Sequence, residues 1–200
     1  MRKRSRAWSQ RLQSEAVQQL LHDDPIVANI KDEHGLEAAL RSDRQVLFLL
    51  YGSVLDIART VTRAKEAGRV VFVNVDLIDG FSGRDVVVDW LVENTRLDGI
   101  LSTKTSMIRA ARRHGLCAVQ RFFLVDSMSY GQLPRVVGQA QPDLLEILPG
   151  CVPRVLTWLK EDTEVPMIAG GLVCDRTDVM EALAAGAVAV ASSSREVWEM

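Results

Sequence analysis

The polar residues that follow the apolar runs of this chain suit two kinds of chemistry, anion binding and hydroxyl recognition. In order they are Asn74 and Asp76, Ser102-Thr103-Lys104, Gln120-Arg121, Glu146 with Pro149-Gly150, Gly170-Gly171, and Ser192-Ser193-Ser194. The pairs Gly170-Gly171 and Ser192-Ser193 suit a phosphate, because glycines expose backbone N–H groups, serine hydroxyls donate, and a following helix N-terminus adds positive potential. Two ordinary tight turns would read the same way. Gly150 would extend the cradle. Lys104 and Arg121 would neutralise a phosphoryl or carboxylate group, or sit in ion pairs with Asp76, Asp98, Asp126 or Glu146. Asp76 and Glu146 are read as acceptors for a polyol's hydroxyls or as an acid–base pair.

These residues belong to one site only if a fold gathers the ends of their strands. Gly68, Gly115 and Gly186 each close a helix-like run just before an apolar run. They lie 47 and 71 residues apart, two units of about 23.5 and three of about 23.7. That period predicts eight strands: 26–30, 46–50, 70–75, 99–101, 117–120, 144–147, 167–169 and 187–191. Short strands alternating with helices predict an α/β fold, a compact parallel (β/α)8 TIM-type barrel, whose functional groups sit on the rim at the strand C-termini. Residues 25–200 form this barrel. Residues 1–24 form a basic arm and an amphipathic helix in which Trp8, Leu12, Ala16 and Leu20 share a face. That helix would plug the barrel or join a second subunit in a homo-oligomer.

The chain has 200 residues, 48% of them apolar and 25% charged, enough for one domain with a large core. No apolar run reaches membrane-spanning length and no signal peptide follows the basic start, so a cytoplasmic location is expected. The net charge of −2 conceals an asymmetry. Arg2, Lys3, Arg4, Arg6 and Arg11 face no acid within the first 11 residues. Arg2, Lys3, Arg4 and Arg6, with Arg112 and Arg113 on a later basic helix, are the candidate contacts to a nucleic-acid backbone, against the alternative of a solvated arm and helix face. His22, His34 and His114 fall on helices or the opposite rim, and no nucleophile motif is present. Cys117, Cys151 and Cys174 lack metal-ligand spacing and read as buried thiols.

Five segments carry a family resemblance: Asp76-Leu77-Ile78-Asp79-Gly80, Asp98 to Lys104, Gln120 to Ser127, Glu146 to Gly150, and Ala169-Gly170-Gly171-Leu172. From about Pro25 to Trp198 the chain resembles the bacterial glycerol-uptake operon antiterminator regulators. The resemblance implies a barrel that responds to glycerol 3-phosphate and stabilises the leader mRNA of a glycerol-catabolic operon. It implies binding without turnover, no catalytic residue, metal or cofactor, and a small phosphorylated polyol as effector. Its motifs coincide with Asp76, Lys104, Gln120, Arg121, Glu146, Gly150, Gly170 and Gly171. The chain departs from the family at Asn74, where relatives often carry His, at Tyr51, often acidic, and at Ser194, where Asn is common. The alternative is an aldolase- or isomerase-type barrel enzyme on a small sugar phosphate, with Lys104 as Schiff-base nucleophile or Asp76 and Glu146 as acid and base.

Overall fold

The computed structural model describes residues 14–200. Eight strands, β1 (Ile26–Ile30), β2 (Val46–Leu49), β3 (Val70–Asn74), β4 (Gly99–Ser102), β5 (Cys117–Phe123), β6 (Leu144–Leu148), β7 (Met167–Gly170) and β8 (Ala189–Ser192), pair in chain order, all parallel, and β8 closes onto β1. Around them run α1 (helical over residues 14–23), α2 (Glu33–Arg41), α3 (Ile57–Glu66), α4 (Val86–Asn94), α5 (Thr105–His114), α6 (Ser127–Ala140), α7 (Pro153–Asp162), α8 (Arg176–Ala184) and the single turn α9 (Arg195–Trp198). The fold is the expected (β/α)8 barrel with an added N-terminal helix. The basic arm residues Arg2, Lys3, Arg4 and Arg6, with Trp8 and Leu12, lie outside the described residues.

The three glycines that set the period share one helix-ending geometry. Gly68, Gly115 and Gly186 have φ of +76°, +82° and +106°. In each case the next residue donates its N–H five positions back, Arg69 to Ala64, Leu116 to Ala111 and Ala187 to Ala182. This is the hydrogen bond of a Schellman helix end, and it needs a left-handed residue that glycine adopts without strain. It also explains why β8 begins at Ala189, two residues later than the sequence pattern suggests: the N–H of Ala187 still serves α8. At the other end β5 continues to Phe123, pairing with β6 as far as Leu148.

A path that follows the paired residues once around the ring returns to β1 displaced by eight residues, the shear of a TIM barrel. Residues at one height are therefore one position further along each successive strand. Inward-facing side chains fall into layers drawn from alternate strands. Val27, Phe72, Val119 and Ile168 form one layer, and Phe48, Leu101, Glu146 and Ala191 the next toward the strand C-termini. Above these lie Asn29, Asn74, Arg121 and Gly170. Apart from Glu146, the two lower layers are apolar and closely fitted. Phe48 and Phe72 meet edge-on with ring centroids 5.3 Å apart. A Cβ on Gly99 would overlap the Phe72 ring and the Cys117 carbonyl. Val17 and Leu21 of α1 join this interior cluster, so α1 plugs the N-terminal end of the barrel.

Two glycines separate crowding from backbone strain. Gly99→Ala, at an ordinary φ, should lose about 1–3 kcal/mol or more through overpacking. Gly115→Ala, with open space around it but a left-handed backbone, should lose about 1–2 kcal/mol. Urea unfolding measures both; an unaffected Gly99→Ala protein would contradict the interior packing.

Candidate functional site

The upper interior layer changes character abruptly, because Arg121 enters it from β5 and Glu146 reaches up from the layer beneath. The Glu146 side chain is fully buried and that of Arg121 is 11% exposed; Nε of Arg121 lies 2.5 Å from Oε2 of Glu146. Burial pushes the Glu146 carboxyl above its ordinary value, against the opposing pull of the Arg121 guanidinium. Room for this carboxylate comes from Gly170, where a Cβ would stand 2.5 Å from Oε1. Nothing else among the described residues hydrogen-bonds to the Glu146 carboxylate. The terminal nitrogens of Arg121 donate to no other described group, and the guanidinium lies over the Phe123 ring at 5.6 Å.

Above the pair a cavity of about 390 Å³ opens at the strand C-termini, lined by Asn29, Arg121, Leu148, Gly171, Ser193 and Ser194 among others. The two loops expected to cradle a phosphate therefore converge on one cavity together with Arg121. Gly171 turns at φ +73°, and a Cβ there would contact Leu148 at 3.2 Å. Ser193 is exposed on the lining. A second cavity, about 430 Å³ near the starts of α6 and α7, is walled mainly by Leu124, Val125, Tyr130, Val155 and Trp158 and offers no cation.

Several residues of the expected ring do other work. Successive residues of a strand face opposite sides, so Gln120 and Arg121 do not both look into the barrel. Gln120 is buried toward the helices, and its amide donates to the carbonyls of Ser102, Thr103 and Arg121. Ser192 likewise turns outward: its hydroxyl donates to the Val173 carbonyl at 2.6 Å and accepts from the N–H of Ser194, while its carbonyl accepts from the Trp198 indole. It sews the β7 and β8 loops together. Gly150 donates its N–H to the carbonyls of Gly170 and Gly171, at 2.6 and 2.9 Å, and a Cβ there would strike the backbone of β7. It supports the Gly170-Gly171 turn from behind.

Asp76 and Lys104 occupy a different sector of the rim. The Asp76 carboxylate accepts from the Ser102 hydroxyl and from the N–H and hydroxyl of Thr103, at 2.6 to 2.9 Å, and lies 3.7 Å from Nζ of Lys104. Its oxygens are committed to holding the β4 loop. Asp98 lies at the opposite end of β4 and pairs with Lys65 at 2.6 Å, and Asp126 caps α6. The α8 N-terminus is capped by Asp175, whose side chain accepts from the N–H of Asp178. Arg112 donates to the Gln141 carbonyl, and Arg113 pairs with Asp85 at 2.6 Å. His114 faces Asp89 on the surface. Of the cysteines only Cys117 is buried; Cys174 is exposed at the cavity. Among the described residues no cluster of His, Cys, Asp and Glu could hold a metal ion, and no helix is long and apolar enough to cross a membrane.

Sequence reading missed Asn29. It is an amide inside the strand Ile26–Ile30, 7% exposed, and its Oδ1 has no protein partner although it lines the cavity. Its signal was one polar residue at an inward position of an apolar strand.

Comparisons with known proteins agree with this architecture. Residues 26–198 match the family model of the glycerol-3-phosphate responsive antiterminators. The uncharacterized protein YgcP of Escherichia coli K12 is 43% identical over 181 residues, spanning 90% of this chain and 95% of YgcP. The crystal structure of a glycerol uptake operon antiterminator regulatory protein from Listeria monocytogenes superposes with a TM-score of 0.85 at 31% identity, covering 88% of this chain and 95% of that one. A glycerol uptake operon antiterminator-related protein from Thermotoga maritima gives 0.78 at 28% identity, covering 88% and 98%. The family is regulatory, which sets the aldolase or isomerase reading aside. With its barrel, its strand-end motifs and a match over nearly its whole length, the chain belongs to the glycerol-3-phosphate responsive antiterminator family.

Proposed function

We propose that this protein is an effector-gated antiterminator in which a small phosphate ester of a polyol, glycerol 3-phosphate, binds in the mouth cavity and controls association with a leader mRNA. One observation carries the reading: a guanidinium held from behind by a buried carboxylate, with its terminal nitrogens uncommitted, shares a cavity with the Gly171 and Ser193 turns. A phosphate would accept from Arg121 and from the turns. Ser193 supplies the hydroxyl, while Ser192, Gly150 and Gln120 hold the loops in place. Lys104 and Asp76 shape the opposite sector of the rim. The effector would gate the protein by tying the β7 and β8 loops together, favouring the conformation that binds RNA. The basic arm, Arg2 to Arg6, is the proposed backbone contact; Arg112 and Arg113 are already engaged with protein groups and would contribute less.

Removing Arg121 alone would leave a buried carboxylate unpaired at a cost of about 3–5 kcal/mol, so the informative variant replaces both partners. Arg121→Met with Glu146→Gln should stay folded yet lose about ten- to a hundredfold in affinity for glycerol 3-phosphate by calorimetry, the equivalent of one charged hydrogen-bonding group. Leader-RNA binding by the wild-type chain should respond to glycerol 3-phosphate, and that of the double variant should not. Unchanged heats from the double variant would remove Arg121 from the effector site.

The pair also sets a pH signature. Because burial raises the Glu146 value in the folded state, the folded protein holds this proton more tightly than the unfolded chain does. Its contribution to stability is complete below the ordinary value of 4.5 and is lost as pH rises through the raised value. Glu146→Gln has no such proton, so its stability relative to wild type should increase as pH rises from 4.5 toward neutrality. Denaturant melts across that range test this, and the opposite slope would show a carboxyl held below its ordinary value.

A further inference from the structure

The upper interior layer contains more polarity than phosphate recognition needs. Two layers down, Val27, Phe72, Val119 and Ile168 are wholly apolar, as barrel interiors usually are, and the layer between holds Glu146 as its one polar side chain. Asn29 and Asn74 break that rule at one height, in the layer that also holds Arg121. Asn29 is 7% exposed, lines the cavity that Arg121 also lines, and makes no side-chain hydrogen bond among the described residues; its Oδ1 is a buried acceptor without a partner. Asn74 is fully buried. Its Oδ1 accepts the N–H of Asp76 at 3.1 Å, which fixes the amide and leaves Nδ2 as an unpaired donor. Buried amides without partners are costly, and binding sites are where such groups persist.

We infer that Asn29 determines effector specificity by reading a hydroxyl at the non-phosphate end of the ligand. The inference rests on the mouth cavity being the effector site. The Asn29 amide offers both an acceptor and a donor, and a hydroxyl can answer either where a methyl or methylene answers neither. In the barrel β1 stands opposite β5, so Asn29 and Arg121 approach the cavity from opposite walls. The ligand class is a short phosphate monoester with its anionic end toward Arg121 and a free hydroxyl toward Asn29 on β1.

The test compares three ligands on the full chain by calorimetry: glycerol 3-phosphate, n-propyl phosphate, which has the same carbon chain without hydroxyls, and inorganic phosphate. Wild type should prefer glycerol 3-phosphate to n-propyl phosphate by about tenfold or more, because unpaired polar groups in a site reject a ligand that cannot satisfy them. In Asn29→Ala that ratio should collapse toward unity. Thermal melts give a second readout: Asn29→Ala should melt at or above the wild-type temperature, since it removes a buried group with no protein partner, whereas a structural asparagine would melt lower and leave the ratio intact. Equal binding of the two esters by wild type, or an unchanged ratio in Asn29→Ala, overturns the inference while leaving the phosphate site standing. Binding of none of the three ligands overturns the effector-site reading, and this inference with it. The wild-type comparison needs no variant to fold.

Discussion

A carboxylate and a guanidinium 2.5 Å apart inside a barrel are the constraint around which the rest of the mouth is arranged. Buried pairs add little net stability because desolvation offsets their attraction, so position is what this one supplies. Glu146 cannot leave the interior, and Arg121 therefore holds one orientation in a cavity otherwise built from loops. Gly170 gives the carboxylate its space, and Gly150 braces the turn after β7 through two short hydrogen bonds. Below, Phe48, Leu101 and Ala191 close the interior against water.

The mouth divides into two sectors with different tasks. Around Asp76 the polar groups satisfy one another: Ser102, Thr103 and Lys104 surround the carboxylate and fix the loop after β4. Around Arg121 they do not. Arg121 meets Glu146 through Nε alone, and Oδ1 of Asn29 lacks a protein partner among the described residues. Self-satisfied polar networks stiffen a scaffold, whereas unsatisfied ones mark where a ligand completes the set. Ser192 and Trp198 bind the loops after β7 and β8 into one unit, so a ligand held by either loop acts on both.

Much of the fold was legible in the chain because three helices end in the same way. Gly68, Gly115 and Gly186 adopt the left-handed geometry that only glycine takes freely, and their spacing carried the period of the barrel. The site was less legible because adjacent polar residues were read together. Gln120 and Arg121, or Ser192 and Ser193, share a strand end but face opposite sides, and parity along the strand assigns one member of each pair to the interior. Asn29 was hidden differently. Nothing polar follows β1 in a recognisable motif, and its importance depends on the stagger of the whole ring, which places it level with Arg121 four strands away. Ion pairing across helices, as between Arg113 and Asp85, was equally beyond reach of charge counting on α5 alone.

Arg121 is the proposed anchor for the effector's anion, and a crystal structure of the protein grown with glycerol 3-phosphate tests this directly. Phosphate oxygens within about 3 Å of the terminal nitrogens of Arg121, beside Gly171 and Ser193, are the expected result. A phosphate bound instead at Lys104, with the Arg121 side of the mouth unoccupied, would contradict it.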